Sequence, residues 1–394
     1  MQFPIIYLKP GKEQSLKRFH PWIFSGAIKN VGGEVTEGDL VRIHDAHDNF
    51  LAIGHYQIGS IAVRVLTFED EVVDHAFWVK KISVAWQLRK TMGLAGSANT
   101  NAYRLIHGEG DGMPGLIVDM YGTTAVMQMH TVAMYLMRDS LVKAFQEVLG
   151  QELEAIYEKS EGTLPFKADV EPENGYILGR STTHVAQENG LQFKVDWEKG
   201  QKTGFFVDQR DNRALLEKYS SGRKVLNTFC YTGGFSFYAL RGGATLVHSV
   251  DSSERAIVLT NENVALNFPD DGRHEAFAMD TFKFMEAAQQ KYDLIVLDPP
   301  AFAKHMKVVN NALQGYKRLN TKAIEQIAPG GILFTFSCSQ VISREAFRTM
   351  IFSAAARSGR NVRILHQMEQ PADHPVSIYH PEGEYLKGLV LYVE

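Results

Sequence analysis

Cysteine is scarce in this chain, with two among 394 residues. Two thiols cannot build a disulfide framework, so a reducing compartment is expected. The opening MQFPIIYLKPGKEQ lacks the long apolar stretch of a secretory signal. No segment approaches the roughly 18 apolar residues that suggest a membrane span. These absences together imply a soluble, cytoplasmic protein. Positive charge is not in excess either: the net charge is −4, which argues against a globally basic nucleic-acid binder. Local basic patches stay open and matter more than the total. Neither H-E-x-x-H nor C-x-x-C occurs, and no metal is expected. Internal repeats and low-complexity tracts are also missing.

What is present is a globular composition, 45% hydrophobic and 22% charged. A single core stops growing near roughly 250–300 residues, so two or three domains are expected. The chain up to about Glu71 is β-rich: "DLVRIHDAHDNFLAIGHYQ" and "SIAVRVLTF" are short β-branched runs separated by turn residues. Lys9, Lys12, Lys17, Arg18 and Lys29 cluster before them, with Trp22 and Phe24 interleaved in "KRFHPWIFSGAI". Such a patch suits phosphate contact and base stacking, or else forms a solvated basic face over a small core. From Val72, "DHAFWVKKISVAWQLRKTMG" has helical spacing and ends in the small polar stretch "AGSANTNA". "GEGDGMPGLIVDMYGTTAVMQM" reads as two strands, "TVAMYLMRDSLVKAFQEVLG" as a helix with a glycine stop, and "LEAIYEKS" as a strand. The expected domains are therefore 1–71, 72–184 (α+β) and 185–394.

The last domain carries the chemistry. "KVLNTF", "TLVHSVD", "YDLIVLDPP" and "GGILFTFSCS" alternate with segments long enough for helices. That alternation predicts an α/β fold, a doubly wound sheet with ligands at the carboxyl ends of its strands. "KVLNTFCYTGGFSFYALRGG" is a strand, a small-residue loop and a helix, but the loop lacks G-x-G-x-x-G spacing. Gly233 and Gly234 let a ligand approach the backbone. Asp251 ends the next strand, about 20 residues on, where a carboxylate can accept both hydroxyls of a ribose. Asp280 sits at a third strand end, placed for an adenine amine, and Asp298 at a fourth. An adenosyl ligand without pyrophosphate fits this set better than a dinucleotide, and acidic groups suit a sulfonium cation. Each aspartate taken alone also reads as a cap or turn residue.

This order resembles class I S-adenosylmethionine-dependent methyltransferases, Rossmann-like in fold, over roughly Val185 to Glu394. By the resemblance "NTFCYTGGF" is the first cofactor motif, with Asn227, Phe229, Gly233, Gly234 and Phe235 against S-adenosyl-L-methionine. Asp251 and Ser252 would hold the ribose, Asp280 and Thr281 the adenine edge, and Asp298 and Pro299 of "DPP" would stand between cofactor and substrate. Many such enzymes place an aromatic directly after "DPP" and methylate an exocyclic amine; here Phe302 comes one place late. Cys338, at the end of the strand following "DPPAF", suits other chemistry. A pyrimidine C5 is a poor nucleophile until a thiolate adds at C6, which makes Cys338 a candidate nucleophile with Asp298 as its partner on the base. A free thiol has a pKa near 8.5, so the site must favour the thiolate or take the proton during attack. The alternative is an inert core thiol. Cys230, inside the cofactor loop, is expected to position backbone only.

A closer resemblance covers nearly the whole chain. "KEQSLKRFHPWIFSGAI" resembles the opening of a PUA domain, a small RNA-binding β-barrel. "GQKTGFFVDQRDNR" is similar to the lead-in segment of bacterial 23S ribosomal RNA cytosine-C5 methyltransferases. "FSCS" and "ADHPVSIYHPEGEYLKG" are similar to the end of the same enzymes. The family implies a PUA domain, a central α+β domain and a methyltransferase domain acting on a cytosine C5 of large-subunit ribosomal RNA. It places Phe206 and Gln209 near the cofactor and Lys17, Arg18 and Trp22 on RNA. Within the lead-in, Arg210 and Arg213 otherwise read as helix-surface charges and Phe206 as core. Ala301 departs from the family, many of whose members have a basic residue there, and weakens a phosphate contact. His374, His380, Tyr385 and Lys387 would line the target-base pocket or form a polar closing hairpin. Two alternatives stand beside the cytosine-C5 reading: an amine-directed RNA methyltransferase using "DPPAF" alone, and a catalytically inactive RNA-binding protein. The target nucleotide, naked or assembled RNA, and the oligomeric state, a homodimer among the options, are not written in the sequence.

Overall fold

Alternation of buried and outward side chains builds the first sheet. In the computed structural model, which describes residues 3–165, 169–303 and 305–394, contacts gather into two compact units. The first comprises Met1–Gly190, Val195–Val207 and Ala372–Gly383; the second comprises Leu191–Lys194, Asp208–Pro371 and Glu384–Glu394. The first unit opens with β1 (Ile5–Leu8), β2 (Trp22–Phe24), β3 (Ile28–Gly32), β4 (Leu40–His44), β5 (Phe50–Tyr56) and β6 (Ile61–Thr67). They pair in the order β2-β6-β5-β4-β1-β3, antiparallel except for β1 with β4. Along β1 and β4 every second residue is buried, so Ile6, Leu8, Val41 and Ile43 share one core with Leu16, Ile23, Val63 and Val65.

The same unit continues with helix His75–Thr91, which starts where the Asp74 carboxylate accepts the Phe77 amide at 3.1 Å. β7 (Ala102–His107), β8 (Leu116–Tyr121), β9 (Thr124–Met129), β10 (Ala155–Glu158) and β11 (Gly175–Leu178) form a five-stranded sheet in the order β11-β10-β9-β8-β7. The segment expected as one helix before Gly150 is two, Val132–Leu136 and Arg138–Leu149, interrupted at Met137. β7 begins within the stretch read as small and polar, because its Tyr103, Leu105 and Ile106 are buried in this core. Arg89 is fully buried; it pairs with Asp111 and donates to the Asp373 carbonyl at 2.8 Å. Asp373 also accepts the Arg104 amide at 2.9 Å, so the late segment Ala372–Gly383 is sewn into this unit.

β12 (Val185–Glu188) and β13 (Leu191–Lys194) precede the second unit's sheet. That sheet contains β14 (Lys224–Thr228), β15 (Leu246–Asp251), β16 (His274–Ala278), β17 (Leu294–Leu297), β18 (Gly331–Ser337), β19 (Val362–Met368) and β20 (Lys387–Val393), in the order β16-β15-β14-β17-β18-β20-β19. β14 to β18 are parallel and β20 is antiparallel to both neighbours. All seven residues of β18 are buried, the pattern of a strand covered on both faces. Chain order reverses between β14 and β17, and such a switch point opens a crevice at the strands' carboxyl ends.

Replacing Arg89 with Met should lower the stability of the first unit by about 3–5 kcal/mol, since Asp111 would keep a buried charge without its partner. Urea denaturation of the R89M protein measures this; an unchanged midpoint would show that the pair contributes nothing.

Candidate active site

The loop after β14 is held in an uncommon backbone conformation. Phe229 and Tyr231 adopt φ of 53° and 48°, and Gly233 a φ of 85° at the start of helix Gly234–Arg241. Residues with side chains rarely take such angles unless their surroundings impose them. Asp251 is one such influence: its Oδ2 accepts the Tyr231 amide and its Oδ1 the Ser253 amide, both at 2.9 Å. The Cys230 amide donates to the Val250 carbonyl at 3.0 Å. A Cβ on Gly233 would lie 2.7 Å from the Thr260 methyl, so the turn admits glycine alone on two counts.

Beneath this loop Asn227 donates to Ser236 Oγ at 2.9 Å, while its own Oδ1 is buried with no hydrogen-bond partner. Phe235 is buried, its ring 5.7 Å from Phe336. Asp280 is exposed and caps helix Thr281–Ala287 by accepting the Lys283 amide at 3.1 Å. Ser252 is exposed and Thr281 buried. The structure thus collects Asn227, Phe229, Gly233, Gly234, Phe235, Asp251, Ser252, Asp280, Thr281, Asp298 and Pro299 at the carboxyl ends of β14 to β17. Gln209 joins them through its amide, which donates to Asp298 Oδ2 at 2.9 Å. Phe206 belongs to the first unit, as do Lys17, Arg18 and Trp22.

Asp298 follows β17 and its carboxyl is pushed up to about 7. Burial is the main cause and the charge of Asp208 adds to it, against the Gln209 hydrogen bond and the Arg213 cation. Asp208 accepts the Tyr385 hydroxyl at 2.7 Å. Arg210 and Arg213 are buried, which corrects the surface reading of these charges: on helix Arg210–Lys218 Arg213 acts on Asp298, while Arg210 pairs with Asp211 at 3.5 Å.

Cys338 is half-buried and leaves β18 just beyond Ser337. β17 and β18 are parallel neighbours, with Leu297 paired to Thr335, so Asp298 and Cys338 emerge on the same edge. Their loops are tied together. Tyr316 Oη lies 3.2 Å from Ser339 Oγ, the Phe302 amide donates to Tyr316 Oη at 3.4 Å, and the Ala303 amide donates to Ser339 Oγ at 3.4 Å. Cys230 has the other fate: burial, aided by the Asp251 charge, raises its thiol well above the ordinary range, and such a thiol is inert.

Among the four polar residues of the C-terminal stretch, His374 and His380 go to the first unit. His374 packs 5.0 Å from His107, and His380 lies 4.3 Å from the Trp22 ring. The Trp22 indole donates to Glu109 at 2.8 Å, while Lys17 and Arg18 are exposed. Tyr385 and Lys387 belong to the unit that carries Cys338. Lys387, one of the four residues expected to line the target-base pocket or form a closing hairpin, donates from Nζ to the Ser339 carbonyl at 2.7 Å. The pairing of β20 with β18 is what sets it there.

A family of S-adenosylmethionine-dependent methyltransferases matches residues 173–388, and a PUA-like domain matches residues 6–68. Ribosomal RNA large subunit methyltransferase I of Aeromonas hydrophila is 40% identical, with 98% of each chain covered. The enzyme of the same name from Alteromonas mediterranea is 38% identical over the same shares. The chain belongs to the ribosomal RNA large subunit methyltransferase I family. A solved structure described as a methyltransferase complexed with SAH superposes with a TM-score of 0.85, 25% identity and full coverage of both chains. A Streptococcus mutans chain at 24% identity and TM-score 0.84 shares the fold over the full length of both. The protein is therefore an S-adenosylmethionine-dependent methyltransferase with an N-terminal PUA-like domain, and S-adenosyl-L-methionine is its cofactor. Among the described residues no helix is long and apolar enough to cross a membrane.

The raised Asp298 carboxyl gives a stability signature. A carboxyl whose folded pKa lies above its unfolded value contributes stability that is complete below about 4 and is lost as pH rises through about 7. The D298N protein carries no such group, so wild type should lose stability relative to it between about pH 4 and about pH 7. Paired urea titrations check the sign, and a constant difference would contradict the burial argument.

Proposed function

We propose that this protein methylates C5 of a cytosine in large-subunit ribosomal RNA, in the cytoplasm, through a covalent adduct on Cys338. The observation that supports it is a half-buried thiol at the end of β18, beside the strand that ends in Asp298, with the two loops hydrogen-bonded through Tyr316 and Ser339. An amine-directed enzyme has no use for a thiol in that place. The names of the full-length relatives supply the substrate class.

The donor set suits the cofactor. Each Asp251 oxygen accepts one backbone amide and keeps acceptor capacity for a ribose hydroxyl. Asn227 Oδ1 is an orphaned buried acceptor below the glycine turn, and the Asp208–Asp298 pair provides negative potential for a sulfonium. In this reading Asn227, Phe229, Gly233, Gly234 and Phe235 pack on the cofactor, and Asp251 and Ser252 hold the ribose. Asp280 and Thr281 meet the adenine edge, while Gln209 and Pro299 close the site. When bound, S-adenosyl-L-methionine supplies an electrophilic methyl group.

The chain's own residues do the rest. The Cys338 thiolate forms a bond to C6 of a base that has left its stack, and electron density rises at C5. Asp298, near the midpoint of its titration at neutral pH, donates a hydrogen bond to N3 while protonated. Once C5 carries the methyl group, a base removes the C5 proton, the C6–S bond breaks and the thiolate returns. Residues 1–71, 72–184 and 185–394 act as RNA-binding, central and catalytic domains, with Lys17, Arg18 and Trp22 contacting RNA.

Cys338→Ala should reduce methyl transfer to ribosomal RNA by at least about a hundredfold while cofactor binding persists. RNA carrying 5-fluorocytosine should trap wild type, but not the variant, as a complex stable in denaturing gels. A methylated product other than 5-methylcytidine, by nucleoside mass spectrometry, would defeat the proposal. Undiminished turnover by the variant would favour amine chemistry instead.

A further inference from the structure

β18 ends at Ser337 and β20 begins at Lys387, and these residues face each other across the antiparallel ladder. The sheet therefore delivers a lysine beside the residue that follows Ser337, which is Cys338. Lys387 is 5% exposed, and its Nζ is fixed on the Ser339 carbonyl. An ammonium withdrawn this far from water is costly unless negative charge answers it, and a backbone carbonyl supplies only a dipole. Burial lowers the Lys387 ammonium to about 8, while the charges of Cys338 and Glu384 act in the opposite sense.

We propose that Lys387 is a positioning residue for methyl transfer, its ammonium held on the Ser339 carbonyl so that Cys338 stands as a thiolate. The inference rests on the reading of Cys338 as nucleophile. The thiol's proton leaves to water and the lysine keeps its own three, so a neutral thiol beside a buried cation becomes an ion pair. The other charged or titratable groups around the pair come from three directions. Tyr316, on helix Val309–Gln326, is a phenol kept neutral by burial. Arg344 opens helix Arg344–Ser358 and is paired with Glu369 at 3.1 Å and Glu384 at 3.4 Å. Glu384 lies just before β20 and is partly exposed. Arg344 is thus largely answered by its own carboxylates, and Lys387 is the buried cation whose charge acts on Cys338.

Alkylation of the full-length protein by iodoacetamide between pH 6 and pH 10, with the Cys338 peptide followed by mass, tests this without RNA or cofactor. Buried Cys230 serves as the unreactive reference. The wild-type rate should show a midpoint below the free-thiol value of about 8.5. Lys387→Met should raise that midpoint by about one unit, a roughly tenfold smaller thiolate fraction at neutral pH, and Lys387→Arg should restore it. A wild-type midpoint at or above about 8.5 overturns the inference whether or not any variant folds, and so does an unshifted midpoint in K387M. Turnover by C338A separates the two readings. An unshifted midpoint with C338A inactive overturns the lysine's role alone. A shifted midpoint with C338A fully active keeps the ion pair but overturns its part in methyl transfer.

Discussion

The parallel hydrogen bonding of β14 to β18 is the constraint from which the site follows. Five strands running the same way must end on the same edge. Whatever residue succeeds each apolar run therefore arrives at one crevice, however distant in sequence. Asp251, Asp280, Asp298 and Cys338 are successors of this kind. β20 adds the complementary rule: being antiparallel to β18, it starts where β18 stops. The chain's last strand thus brings Lys387 to the edge that the parallel strands have furnished with acids and a thiol.

Four acidic groups along one edge would repel one another if all were alike, and their surroundings make them different. Asp251 accepts two backbone amides, one from Tyr231 in the strained Phe229–Gly233 turn and one from Ser253, so its charge has local partners. Asp280 is exposed and spends one oxygen on a helix start. Asp208 takes a hydroxyl hydrogen bond from Tyr385. Asp298 has burial and a like charge against it, which push its carboxyl up to about 7. A carboxyl raised in this way can donate to a base nitrogen when it is protonated.

The strand-end residues were legible because their signal is short-range: an apolar run, then one chemical group, repeated through the last domain. The doubly wound sheet follows from the same runs. Other features lay in pairings that no local pattern carries. Arg210 and Arg213 are charged and look like helix surface, yet both are buried, and Arg213 acts on Asp298 from across the sequence. The PUA-like domain's Trp22 finds Glu109, 87 residues away. Asp373, in a polar loop, accepts from the buried Arg89 guanidinium through its carbonyl and from the Arg104 backbone amide through its carboxylate, partners far away in sequence. The break at Met137 and the strand beginning at Ala102 are likewise settled by the core they pack against.

The two cysteines show how far neighbouring charge decides chemistry within one fold. Both follow parallel strands of the same sheet. Cys230 is buried in the positive-φ turn, its Sγ 3.7 Å from the Tyr231 carbonyl and 4.0 Å from Thr260 Oγ1, and it feels the Asp251 charge. Burial and a nearby anion both oppose ionisation, so this sulfur stays protonated. Cys338 leaves a strand flanked by β20 rather than by another parallel strand, and the flank presents an ammonium. Half exposure leaves that sulfur open to a partner, and a cation beside it favours the reactive form. The difference lies first in burial, which is deeper at Cys230, and then in the sign of the neighbouring charge. Surroundings, more than the identity of the residue, therefore separate an inert thiol from the proposed nucleophile.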